Sequence, residues 1–246
     1  SFSPKYDELN ASEKLSSLSN RNAWNFNWVF TNTLTYNKTF GDHTINALLG
    51  MESLRNRYEY FTASRDGFPS DDPNFRFLDA GDVGTQKNSG AATEYSMVSY
   101  FGKLDYNYHD RYLVAFTLRR DGSSRLGNNK WGNFPAMSVG WNVSNEHFME
   151  GVDFLSTLKV RAGFGITGSL PNEAYSSLSR LASGNNFLTN GSSWVPTLQP
   201  ESNANPDLKW EKKEEWNLGF DYGFFNERLS GSIDLYQRTT RDMVWE

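Results

Sequence analysis

Residues 111–149 read RYLVAFTLRRDGSSRLGNNKWGNFPAMSVGWNVSNEHFM, two strand patterns around a polar loop. In the first, Tyr112, Val114, Phe116 and Leu118 alternate with Leu113, Ala115, Thr117 and Arg119. In the second, Met137, Val139, Trp141 and Val143 alternate with Ala136, Ser138, Gly140 and Asn142. Successive side chains of a strand point to opposite faces, so each ribbon has one apolar face and one small or polar face. A sheet in water can have this pattern. So can a membrane barrel, whose apolar face meets lipid and whose polar face lines the lumen.

The same alternation runs outward in both directions. Trp24, Phe26, Trp28, Phe30, Leu34 and Tyr36 oppose Asn25, Asn27, Thr31, Thr33, Thr35 and Asn37, a strand in aromatic and β-branched residues. Gly41-Asp42-His43 reads as a tight turn into a second strand over about 44–61. Its apolar residues change parity between Met51 and Leu54, which predicts a bulge near Glu52–Ser53; its Leu, Met, Glu and Arg content also fits a helix. Further strands are predicted over about 95–108, 112–120, 134–144, 158–167, 209–224 and from 229 onward. Residues 1 to about 22 read as loop, and 145–156 as a short helical link. Two long segments, about 62–93 and 168–208, are rich in Gly, Pro, Asp, Asn and Ser, and read as loops of the length that usually carries function.

The links themselves alternate. Those after the first, third and seventh strands are tight and the one after the fifth is compact; those after the second, fourth and sixth are longer and polar. In an up-and-down meander, alternate links fall at opposite ends. Short turns at one end and long loops at the other is the arrangement of outer-membrane barrels. A sandwich offers no strong reason for it.

Composition narrows the function classes. The chain has 246 residues, net charge -5 and no cysteine. The acidic balance disfavours nucleic acid as a partner, and thiol chemistry and disulfides are excluded. No run approaches the roughly 18 apolar residues of a helical span, but barrel strands need only about 9–11, half of them polar. The N-terminal stretch lacks the apolar core of a signal peptide, as expected of a cytoplasmic chain or of an internal or processed piece; the last residues stop inside a strand pattern, which favours a piece.

Nothing in the sequence has catalytic spacing, and no cofactor is implied. His43, His109 and His147 fall in or near turns and form no metal-ligand pair. Asp71 and Asp72 lack the regular oxygen spacing of a calcium loop. No local pattern marks two carboxylates as a glycosidase pair. RRDGSSR at 119–125 has one glycine and no following Lys-Ser/Thr, so it is not a phosphate loop; it reads as a tight hairpin loop. Asn-x-Ser/Thr sequons at Asn10, Asn37, Asn142 and Asn190 read as chance. Aromatic residues make up 15 % of the chain. Tyr106, Tyr108, Tyr112, Trp141, Tyr222 and Phe224 stand beside the short turns with apolar-face parity, as membrane-interface aromatics would; a sugar-stacking platform is the competing reading. In the loops, Phe68, Phe75, Phe77 and Trp194 are candidates for substrate or lid contact, against simple local packing. Arg119 has polar-face parity beside Asp121 and is the candidate charged contact there.

Several segments resemble the barrel of SusC/RagA-type TonB-dependent transporters of the Bacteroidetes outer membrane. They are LLGMES at 48–53, YFTASRDGFP at 60–69, the run from Ser99 to Met149, LKVRAGFGITGS at 158–169, and the run from Asn205 to Met243. Together they cover most of the chain in collinear order, and the block from Tyr100 to Trp141 is the specific one. The resemblance implies an all-β fold, an antiparallel meander of about eight strands forming part of a barrel of about 22, with the plug domain and the other strands outside residues 1–246. It also implies an outer-membrane nutrient importer for oligosaccharides or peptides, lidded by a SusD-like lipoprotein and energised by TonB–ExbB–ExbD. Two alternatives from other classes stay open on the residues alone: a secreted carbohydrate-binding β-sandwich, and a β-rich hydrolase with converging carboxylates.

Overall fold

The computed structural model describes residues 1–4, 15–183, 187–189, 193–195 and 197–243. Its strands are β1 (Phe2–Ser3), β2 (Ser17–Phe40), β3 (His43–Asp66), β4 (Lys87–Tyr108), β5 (Tyr112–Ser123), β6 (Trp131–Asn142), β7 (Leu155–Ser169), β8 (Arg180–Ser183), β9 (Phe187–Thr189), β10 (Ser193–Val195), β11 (Leu198–Ser202), β12 (Glu211–Phe224) and β13 (Leu229–Arg241). Nine of them hydrogen-bond in the order β1-β2-β3-β4-β5-β6-β7-β12-β13. Eight long strands therefore follow one another as an up-and-down meander, with two-residue β1 added at one end. Among the described residues the only helical structure is short 3-10 turns.

Register brings like faces together. Tyr106 pairs with Val114, Val114 with Val139, Val139 with Ala162, Ala162 with Leu218, and Leu218 with Leu235. One residue along, Asp105, Ala115, Ser138, Gly163 and Asn217 form the matching row of the other face. A slip of one residue would exchange the two faces, so the pattern holds the register tightly. The apolar row is not sealed by a second layer: Phe116, Met137, Val139 and Leu235 are 44 %, 49 %, 42 % and 61 % exposed. A sandwich buries such a face against its other sheet. A membrane wall leaves it open.

Several boundaries differ from the sequence reading. β2 begins at Ser17, β3 runs to Asp66 and β4 begins at Lys87. The loop expected over 62–93 shrinks to 67–86 and carries three 3-10 turns. Residues such as Lys87-Asn88-Ser89-Gly90 have little intrinsic strand preference, but a strand in register with a long neighbour continues its ladder regardless. Residues 44–61 are strand, not helix. The link after β6 is two 3-10 turns, at 143–145 and 147–149. The connection from β7 to β12 is not plain loop: β8 pairs with β11 and β9 with β10. At 24 residues each, β2 and β3 extend over about 80 Å, more than twice the roughly 9–11 residues a membrane strand needs.

The chain divides into two compact units, residues 1–28 with 55–95, and residues 29–54 with 96–246. In the first, β1 is clipped to the start of β2, and Phe2 meets Phe68 edge-on at 5.8 Å. The Phe68 N–H donates to Ser16 Oγ at 2.9 Å, and Arg76 lies 4.3 Å over the Phe2 ring. In the second, the best-buried apolar cluster is Leu126, Phe134 and Trp210, edged by Met97, Ile166, Leu170 and Leu208. It sits at the long-loop end, where the 124–130 link meets the approach to β12. Phe134 and Trp210 meet edge-on at 5.2 Å, and Trp210 Nε1–H donates to the Lys130 carbonyl at 3.0 Å.

Candidate functional site

The candidate site is the polar face of the second unit, β4 to β7 with β12 and β13. Its centre is built of small residues. Ala115, Ser138 and Gly163 form one row, and Thr117, Ala136 and Gly165 the next. They floor an open depression of about 520 Å³, walled by Lys213, Glu215 and Arg238. A second depression, also of about 520 Å³, is lined by Lys103, Asp105, Lys159 and Arg161 among others.

Several charges on this face are paired. The Arg161 guanidinium spans two strands, donating to Asp221 at 3.0–3.2 Å and to Asp234 at 2.8–3.0 Å. Gly219 pairs with Arg161 on one side and Asp234 on the other, and a Cβ there would stand 2.6 Å from the guanidinium carbon. The glycine is what lets the arginine lie flat across β12. Toward the long loops, Arg119 Nε donates to Asp121 at 2.8 Å, its Nη2 to Ser99 Oγ at 2.9 Å, and Glu52 stands 3.7 Å away. Asp121 and Ser99 are buried, whereas Arg119 is 39 % exposed, so a charged edge stays available to solvent. This surface offers donors and acceptors for polar solutes. Among the described residues it contains no group of three His, Asp or Glu arranged to hold a metal.

The aromatic candidates gather at the short-turn end. His109 and Asp110 both have φ of 53°, the left-handed pair that a two-residue hairpin turn requires, and Asn107 bonds to Asp110 across it. Tyr108 and Tyr112 stack at 6.3 Å on either side. The Tyr106 hydroxyl lies 2.8 Å from His43 Nδ1, Tyr222 contacts Phe224 at 5.7 Å, and Phe224 stacks on Phe154 at 6.3 Å. All three histidines are engaged locally here, His109 with Asp42 and His147 with Glu150.

Glu146 organises this end. It accepts from Tyr112 Oη at 2.7 Å and Trp141 Nε1 at 2.9 Å, and Arg111 stands 3.6 Å away. These two donors, with Arg111 and His147 nearby, hold its carboxyl below the usual carboxylate range against a smaller opposing effect of desolvation. A carboxylate with a lowered pKa stabilises the fold above its ordinary pKa, and that contribution is lost as pH falls through the lowered value. Glu146→Gln is therefore expected to melt below the parent at neutral pH, with the gap closing as pH drops through the carboxylate range. Thermal unfolding of the full-length protein against pH checks this; a gap that stays constant into acid rules it out.

Of the loop candidates, Phe75 and Phe77 are 51 % and 65 % exposed, while Phe68 is 8 % exposed and packed on Phe2. Phe68 thus supports the loop from within. Trp194 belongs to β10, opposite Leu188; its side chain lies outside the described residues. The sequence reading missed Arg161 and Glu146. Arg161 had the polar-face parity, but its partners lie 60 and 73 residues away in the chain. Glu146 had no signal beyond its place in a turn after Trp141.

The family model described as TonB dependent receptor-like, beta-barrel matches residues 2–244. The chain belongs to that family. Among curated members, it is 40 % identical over 167 residues to the TonB-dependent receptor SusC of Bacteroides thetaiotaomicron, covering 66 % of this chain and 17 % of SusC. To the TonB-dependent receptor P39 of Formosa agariphila it is 36 % identical over 217 residues, 87 % of this chain and 20 % of that protein. Among solved structures, the RagAB peptide transporter superposes with a TM-score of 0.85 at 29 % identity, over 96 % of this chain and 26 % of that one. This TonB-dependent receptor barrel is of the SusC/RagA type. It spans about a fifth of the curated relatives it matches.

Proposed function

We propose that these strands form part of the wall of an outer-membrane importer that takes up nutrients such as oligosaccharides or peptides. The observation that carries this is the unsealed apolar face in register across β4–β7, β12 and β13, backed by a paired-charge polar face. In the wall, the apolar rows meet acyl chains and the small-residue floor with its flanking charges lines the lumen. Tyr106, Tyr108, Tyr112, Trp141, Tyr222 and Phe224 anchor the short-turn end at the lipid interface. Phe75 and Phe77 contact substrate or lid from the link after β3, Trp194 of β10 is a further candidate for that contact, and Arg119 presents a charged edge on the lumen side. The partners are a SusD-like lipoprotein closing the long-loop side, and the TonB–ExbB–ExbD system acting through the part of the protein beyond this chain. The relatives support this: SusC and P39 are named TonB-dependent receptors, and RagAB a peptide transporter.

The test is fractionation and uptake. The full-length protein is expected in the outer-membrane fraction and released only by detergent; recovery as a soluble monomer would defeat the reading. Truncating Phe75 and Phe77 together to alanine should raise the half-saturating nutrient concentration about tenfold, since central aromatic contacts are commonly worth over 1 kcal/mol. Uptake that is unchanged would remove both residues from the substrate path.

A further inference from the structure

The link after β5 takes its shape from its own residues and from β4. Ser123 N–H donates to the Lys130 carbonyl at 3.1 Å and closes the loop, and Ser123 Oγ accepts from the Arg125 N–H at 3.2 Å. Ser124 N–H reaches the Ser96 carbonyl at 3.0 Å, and Ser96 N–H donates back to Ser124 Oγ at 2.9 Å. From that root the link grips the β7–β12 connection on both stems. On the outgoing stem, Arg125 Nη1 donates to the Pro171 carbonyl at 3.0 Å. On the return stem, Asn128 N–H donates to the Pro206 carbonyl at 2.8 Å, and Asn129 Nδ2 to the Asp207 carbonyl at 3.1 Å.

Gly127 lies flush with the return stem: a Cβ there would overlap the Pro206 carbonyl oxygen. That neighbour is backbone, so it cannot turn aside as a flexible side chain could. The buried cluster adjoins both grips, edged by Leu170 of one stem and Leu208 of the other. Beyond the stems stands the β8–β11 ribbon. Its base is tied by Ser179 Oγ, which donates to the Ser202 carbonyl at 3.2 Å, and by Arg180 Nε, which donates to Ser202 Oγ at 3.3 Å. A lone two-stranded ribbon is marginal in water, so where this one stands depends on what holds its stems.

We propose that residues 124–130 form a clasp, with Arg125, Gly127, Asn128 and Asn129 as positioning residues that fix the β8–β11 ribbon for nutrient capture on the long-loop side. This rests on the importer reading above. None of the four needs to touch the nutrient. They act by raising the fraction of time the ribbon is in place, and apparent affinity scales with that fraction.

Hydrogen exchange of the full-length protein in detergent reports on the ribbon, and nutrient uptake by cells carrying the same variants reports on capture. Gly127→Ala should break the two bonds to the return stem. At roughly fivefold per net hydrogen bond, the amides of β8 and β11 should then exchange about 30-fold faster. Arg125→Gln, which adds nothing to the packing, should give about fivefold from the other stem. In both variants exchange in β6 should be unchanged, and the half-saturating nutrient concentration should rise severalfold at the parent's maximal rate. Arg120→Gln, on β5 but over the Trp131 ring at 5.1 Å and off both stems, should alter neither readout. Parental ribbon exchange in both clasp variants overturns the proposal. So does a loosened ribbon with parental uptake, and so does exchange that rises equally in β6, which would make the link part of the wall's own packing. A parent that takes up no nutrient would defeat the importer reading, and the role in capture with it, even where the ribbon loosens as expected.

Discussion

Met137→Arg is expected to destabilise the full-length protein by about 2–4 kcal/mol, the cost of a cation near the bilayer midplane on a barrel's lipid face. Ser138→Arg, one residue away, should cost well under about 1 kcal/mol. The contrast comes from parity and register. Met137 stands in an apolar row, between Phe116 and Phe164, which continues to Leu104 on one side and Trp216 on the other. Ser138 opens on the depression floored by Ala115 and Gly163, which has about 520 Å³ of room for a long polar side chain. Urea unfolding in lipid vesicles measures both. Equal costs, or a larger one at Ser138, would mean the faces are assigned backwards.

Trp210→Ala should cost about 3–5 kcal/mol, as large-to-small changes at buried aromatics do. Trp210 is 4 % exposed, meets Phe134 edge-on, and satisfies the Lys130 carbonyl. The cluster is built to close tolerance: a Cβ at Gly168 or Gly132 would overlap the Phe134 ring. Leu126, only 1 % exposed, closes it from the hairpin loop, so Leu126→Ala should cost about 2–5 kcal/mol. Phe75→Ala, at a half-exposed loop residue, should stay within about 0.5 kcal/mol. The same unfolding experiment ranks the three. A Trp210 variant as stable as the Phe75 variant would show that this cluster does not hold the long-loop end together.

The two predictions draw on different kinds of information. Met137 could be placed from the sequence, because alternation is local: each residue's face follows from its neighbours two positions away. The Trp210 cluster could not. Its three members come from the link after β5, from β6 and from the approach to β12, and nothing in LGNNKWGNF announces a partner some 80 residues on. The RRDGSSR loop read as a tight hairpin loop, with no signal at Leu126 just after it; only the packing shows that Leu126 is the best-buried large side chain described. Strand ends were also misjudged. Asn, Ser and Gly at 87–90 look like loop when judged by propensity, yet they continue the β4 ladder.

The sequence by itself determined which side chains share a face, the short-and-long alternation of the links, and through its motifs the family. These are short-range properties, written residue by residue into a chain with period two. The tertiary structure decided which rows meet, that Arg161 bridges Asp221 and Asp234 across Gly219, that Glu146 gathers Tyr112 and Trp141, and that Arg120 rests on Trp131. Those arrangements depend on register between strands far apart in the chain, which ladder hydrogen bonds and close packing fix together.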